Sequence, residues 1–114
     1  MKLVTKNKTE EHKNSDACIA TEYPLGDEDI NGAVVVVKGR YPEKGRVTNE
    51  KCKELVFIME GEGKIVVEGK EIKLKKEDMI LIEVGERIYW DGNMKMYVSC
   101  NPAWYPEQHK EIEQ

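Results

Sequence analysis

Between residues 33 and 99 the sequence repeats one pattern: a short run rich in valine, isoleucine and aromatics, then a break that contains glycine. The strongest runs are 33–37 (AVVVV), 54–60 (ELVFIME), 64–68 (KIVVE) and 78–84 (DMILIEV); 71–74, 88–91 and 94–99 are weaker ones. Side chains branched at Cβ fit a pleated surface and lose rotamer freedom in a helix, so runs this short read as strands. Gly61-Glu62-Gly63, Gly69-Lys70, Gly85-Glu86 and Gly92-Asn93 read as the turns between them, and Pro42 and Gly45 interrupt the chain after the valine run. No stretch in the middle of the chain carries a helical period. Strands at near-regular spacing joined by glycine turns predict an all-β sandwich or barrel.

The ends read differently. Residues 6–16 are polar and charged, so the expected organisation is a flexible N-terminal segment over 1–16 and a single domain over 17–114, with a first strand at 17–22 and a loop at 23–29. The tail 101–106 (NPAWYP) is extended and aromatic, and 107–114 is expected to form one helical turn or two. A chain of 114 residues suits one compact domain with its own core.

Charge narrows the partners. The formal net charge is −4, and lysines alternate with glutamates instead of forming a basic face, which argues against nucleic acid. A small anion, held by one or two charges, stays open. The longest apolar runs fall far short of a membrane span, and residues 1–16 lack the apolar segment of a signal peptide. Cys18, Cys52 and Cys100 are odd in number and nowhere at C-x-x-C spacing, so reduced cysteines and a cytoplasmic location are expected.

The stretch ELVFIMEGEGKIVVEGKEIKLKKEDMILIEVGERIYW, residues 54–90, resembles the core of the cupin superfamily. Glu54 and Gly61 stand at the glutamate-to-glycine spacing of that family's first motif. Asp78 and Gly85 match the turn aspartate and the later glycine of its second, with Glu83 where a proline is usual. The resemblance implies a small single-domain cupin: a double-stranded, jelly-roll-like β-barrel with short irregular N- and C-terminal segments. It also implies where a metal would be held, and there the chain departs. Val47 and Asn49 (Thr48 and Glu50 with a one-residue slip) and Ile88 stand at the histidine positions. Both histidines, His12 and His109, lie outside the motifs, and valine and isoleucine offer no lone pair. The expectation is a degenerate metal site, with no metal and no cofactor. Glu50, Cys52 and Glu54 share a parity and would point one way in a regular strand, which leaves an unusual carboxylate–thiolate site as an alternative.

Six residues follow as site candidates. Glu54, turned into an apolar barrel as the family's glutamate is, becomes a candidate general acid or base; a purely structural hydrogen-bonded carboxylate is the alternative. Asn49 and Ile88 occupy ligating positions and should face the same space. Trp90 shares Ile88's parity and either walls a ligand cavity or fills the barrel, and Trp104 is expected near the mouth. His109 is a candidate proton carrier, or else a solvated residue of a charged tail. Three functions remain: a metal-independent small-molecule-binding domain; a metal-free isomerase, epimerase or lyase using Glu54 as acid or base; and a non-catalytic scaffold. A homodimer is expected in each case, because a small β-sandwich has edges to cover and residues 33–37 are apolar on both faces.

Overall fold

A computed structural model describes residues 1–113. The described residues form nine strands: β1 Glu10–Ser15, β2 Cys18–Tyr23, β3 Asn31–Tyr41, β4 Arg46–Asn49, β5 Lys53–Val67, β6 Lys70–Lys75, β7 Met79–Ile82, β8 Ile88–Asn101 and β9 His109–Ile112. Single 3-10 turns occupy Lys6–Lys8 and Pro106–Gln108. All pairings are antiparallel, and the curled sheet makes a cupin-type β-barrel, the all-β architecture expected from the sequence.

The frame is a pair of long strands. β8 pairs with β5 from Lys53↔Asn101 to Val67↔Ile88 and, along its other edge, with β3 from Asn31↔Cys100 to Tyr41↔Trp90. β6 and β7 share the far edge of β5. The inward parity of these strands supplies the core: Val37, Val56, Ile58, Ile65 and Met96 are each under 2% exposed. Burying such side chains contributes about 1.5–3 kcal/mol each.

Two expected turns are not turns. Gly61-Glu62-Gly63 lies inside β5, and Gly92-Asn93 lies opposite it inside β8, with Gly63 paired to Gly92. Here the two strands bend together and approach closely. A Cβ on Gly63 would come 2.6 Å from the Asp91 carbonyl oxygen, and one on Gly92 would come 2.5 Å from the Gly63 Cα. A register shift between Ile58 and Glu60 adds to the bend, as bulges and glycines do at barrel corners.

The ends also differ from expectation. Within 1–16, residues Glu10–Ser15 form β1, which pairs with β2 from Glu10↔Glu22 to Ser15↔Cys18. Its sequence, EEHKNS, has no apolar alternation, and the pairing alone makes it a strand. At the other end the expected helical turns reduce to Pro106–Gln108, after which β9 pairs with β4; Gln114 lies outside the described residues. Gln108 locks this junction. It is 2% exposed, and its side-chain Oε1 accepts the backbone N–H groups of Lys51 (3.0 Å) and Cys52 (2.8 Å). Gln108→Leu strands both donors and should lower the unfolding free energy by about 2–4 kcal/mol, read by urea denaturation.

Candidate functional site

The barrel interior is open. A cavity of about 440 Å³ lies inside it, and Asn49, Glu54, Ile88, Trp90, Trp104 and His109 all stand on its wall. Each is brought there by a different local cause. Asn49 ends β4 and His109 begins β9, and the two are register partners, so the strand at the C-terminal end delivers the histidine beside the asparagine. Trp104 is fixed by Asn31, whose side chain donates to the Trp104 carbonyl (3.1 Å) and accepts its backbone N–H (3.0 Å). Ile88 and Trp90, 4% and 6% exposed, form an apolar wall without filling the space.

The polar groups make one chain of hydrogen bonds. Asn49 Oδ1 lies 3.0 Å from Trp104 Nε1 and 2.9 Å from His109 Nδ1, and His109 Nε2 lies 3.2 Å from the Tyr41 hydroxyl. An indole nitrogen can only donate, so the asparagine atom facing it accepts. That acceptor obliges His109 Nδ1 to donate as well, which leaves Nε2 with a lone pair for the Tyr41 O–H. The asparagine's amide nitrogen then serves Glu54, to which Asn49 hydrogen-bonds. On its other side the Glu54 carboxylate accepts the Cys100 thiol at 3.6 Å. The chain therefore runs Tyr41, His109, Asn49, Glu54, Cys100, with a single tautomer assigned to the imidazole.

Burial dominates the electrostatics. Glu54 keeps some accessible surface, but it borders the cavity. Burial raises its carboxyl above the usual range, against the hydrogen bonds from Cys100 and Asn49. Burial likewise raises the Tyr41 phenol and pushes the Cys18 thiol up to about 11. The two neighbouring thiols shift in opposite directions: contact with Cys100 lowers Cys52, while contact with Cys52, burial and the Glu54 charge raise Cys100, which keeps the one proton it offers to Glu54.

Burial lowers His109, with Glu111 opposing. A protonated His109 would also lose the lone pair that accepts from Tyr41. The unfolded chain takes up this proton first, near the ordinary value of 6.5, so the stability His109 contributes is lost as the pH falls from there through its lower folded value. Wild type should exceed His109→Gln in stability at pH 7.5, and the gap should shrink by pH 5 in paired urea titrations.

The residues do not fit a cupin metal. Val47 and Ile88, two of the positions expected to ligate, face each other as apolar register partners, 3% and 4% exposed. The alternative set fails on geometry. Residues 50–52 lie outside any strand, which breaks the shared parity; Glu50 is exposed while Cys52 is buried. No group of three histidine, cysteine or carboxylate side chains among the described residues is placed to hold a metal ion.

Sequence reasoning missed Tyr41, Cys18, Cys100 and His12, all on the same wall, and reached Cys52 only as part of the alternative metal set. Tyr41 was within reach: it shares the parity of Val35 and Val37, but Gly39 and Pro42 suggested an earlier end to a strand that runs on to Tyr41. Nothing in the sequence of β1 announces that His12 borders the barrel.

No curated protein matches the sequence. Among solved structures, a variant of Streptomyces Pac13 with uridine superposes with a TM-score of 0.87 at 18% identity, covering 97% of this chain and 90% of that one. Pac13 is described as a nucleoside dehydratase. The polyketide cyclase RemF from Streptomyces resistomycificus gives 0.74 at 14% identity, over 100% of this chain and 87% of that one. Ectoine synthase from P. lautus gives 0.68 at 17%, over 88% and 79%. At these identities the likeness concerns the fold. The family itself is shown by sequence: residues 33–113 match the EutQ-like cupin domain, and the chain belongs to that cupin family.

Proposed function

We propose that this cupin is a metal-independent small-molecule-binding protein whose guest occupies the barrel and meets groups arranged for acid–base chemistry. The observation that carries the reading is the hydrogen-bonded chain from Tyr41 through His109 and Asn49 to Glu54, on the wall of an open cavity. A scaffold has no use for an open interior bordered by a half-buried carboxyl, and filling that space with side chains would be more stable. Glu54, held toward its protonated form, suits proton delivery or removal, and the Tyr41–His109 pair supplies a second exchangeable proton. Two such groups serve an isomerase, an epimerase or a lyase; a dehydration of the kind Pac13 is described as performing on a nucleoside is one case.

Trp90 and Trp104 both border the cavity, so a guest should alter tryptophan fluorescence. Titration with uridine, sugars and small amines should give a saturable change for at least one compound. Ala33→Phe, which fills the cavity from β3, should abolish it. A full panel without response, or equal response in Ala33→Phe, would refute the reading.

A homodimer is part of the same proposal. On the outer face Leu55 pairs with Leu81, and Phe57 lies between Met79 and Tyr97; Leu55, Leu81, Tyr97 and Met79 are 40–60% exposed. An apolar row of this kind suits a second copy. Light scattering at micromolar concentration should give the dimer mass. The free cysteines suit the reducing cytoplasm as the location.

A further inference from the structure

The walls of the cavity suggest what kind of guest it takes, given that the barrel is a ligand site. Six carboxylates border it, Glu10, Glu22, Asp27, Glu54, Glu83 and Glu86, and no lysine or arginine among the described residues does. Of its two histidines, His12 is exposed, and His109 is held toward its neutral form by burial, with its ring nitrogens engaged by Asn49 and Tyr41. Two of the carboxylates are committed elsewhere: Asp27 to Lys2 and to the backbone of Asp29 and Ile30, and Glu86 to the backbone N–H of Glu83. Glu10 and Glu22 are not. They are register partners on β1 and β2, and neither forms an ion pair among the described residues. Like charges directly opposite on neighbouring strands repel, and a cation between them relieves the repulsion. Trp90, Tyr41 and Trp104 add aromatic surface to the wall that also carries Glu54.

We infer that the barrel selects organic cations: a protonated or methylated amine on a planar or apolar body. The carboxylates at the mouth steer a cation inward and turn away phosphates and carboxylates. Aromatic faces attract an ammonium group and stack on the body that carries it. Glu54 provides the counter-charge at the end of the path. The groups around it are Cys18, Cys52, Cys100, Tyr41 and Asn49, none of them cationic. An ammonium group would be the first positive charge beside it, so binding should displace a proton from Glu54 and strengthen as the pH rises.

Three probes of one size and shape separate charge from everything else: tyramine, tyrosol and 4-hydroxyphenylacetate. Each is titrated into nitrogen-15-labelled full-length protein, and the indole N–H signals of Trp90 and Trp104 report on the cavity. Tyramine should bind at least about tenfold more tightly than tyrosol, and 4-hydroxyphenylacetate should give no saturable shift. The double substitution Glu22→Gln, Glu54→Gln should bring tyramine close to tyrosol. Tyrosol or 4-hydroxyphenylacetate moving the indole signals at least as tightly as tyramine would overturn the cation assignment and leave the ligand site standing. If none of the three, nor uridine, moves either indole signal, the ligand site falls and the assignment with it.

Discussion

Gly92→Ala should lower the unfolding free energy by about 3–5 kcal/mol and the melting temperature by roughly 15 °C. Gly92 sits at φ +150°, and an added Cβ would press on the Gly63 Cα and the Glu62 carbonyl oxygen of the facing strand. Neither obstacle is a flexible side chain, so the two central strands must part where they bend together. Gly69→Ala provides the contrast. Gly69 has φ +82° in the β5–β6 turn, but an added Cβ meets nothing within 4 Å, so the cost there is the backbone conformation alone, about 1 kcal/mol. Chemical denaturation of the two variants should rank them clearly; equal losses would mean that the close approach of β5 and β8 is unimportant.

Asn49→Leu is the second large effect. Asn49 Oδ1 accepts from both Trp104 Nε1 and His109 Nδ1, and the amide reaches Glu54. Leucine has a similar branched shape, is bulkier, and satisfies none of the three. The loss should be about 3 kcal/mol of stability, since half-buried donors and an acceptor lose their partner together. A second readout separates position from stability. With Asn49 in place the His109 ring carries its proton on Nδ1, and ring nitrogen-15 shifts should report that tautomer. In Asn49→Leu the shifts should move toward a mixture of tautomers or toward the Nε2–H form. A variant that loses stability but keeps the Nδ1–H tautomer would show that Asn49 does not orient the histidine.

The contrast between Gly69 and Gly92 also shows where the sequence is legible and where it is not. β-branched runs announced most of the strands, because they favour the pleat wherever they fall. The glycine breaks were read alike, and yet one closes a hairpin while two lie in mid-strand. A glycine at positive φ serves a turn and a bend equally well; what distinguishes them is the pairing of β5 with β8, set by residues some twenty to fifty positions apart. β1 and β9 were missed for a related reason. EEHKNS and HKEI carry little strand preference of their own and take it from β2 and β4. In the site, the resemblance located Asn49, Glu54 and Ile88, because motif spacing survives the loss of the metal ligands. Tyr41, Cys100 and the tautomer of His109 depended on which strands meet, which spacing within one motif does not encode.

Native mass spectrometry of untagged protein, after incubation with a metabolite extract, tests the central claim most directly, because one spectrum reads metal and organic adducts together. The account predicts a chain free of stoichiometric transition metal that retains an organic adduct, with the adduct absent from the cavity-filled Ala33→Phe. A metal adduct near unit occupancy that disappears on Glu54→Ala would contradict it, as would the same organic adduct in wild type and Ala33→Phe.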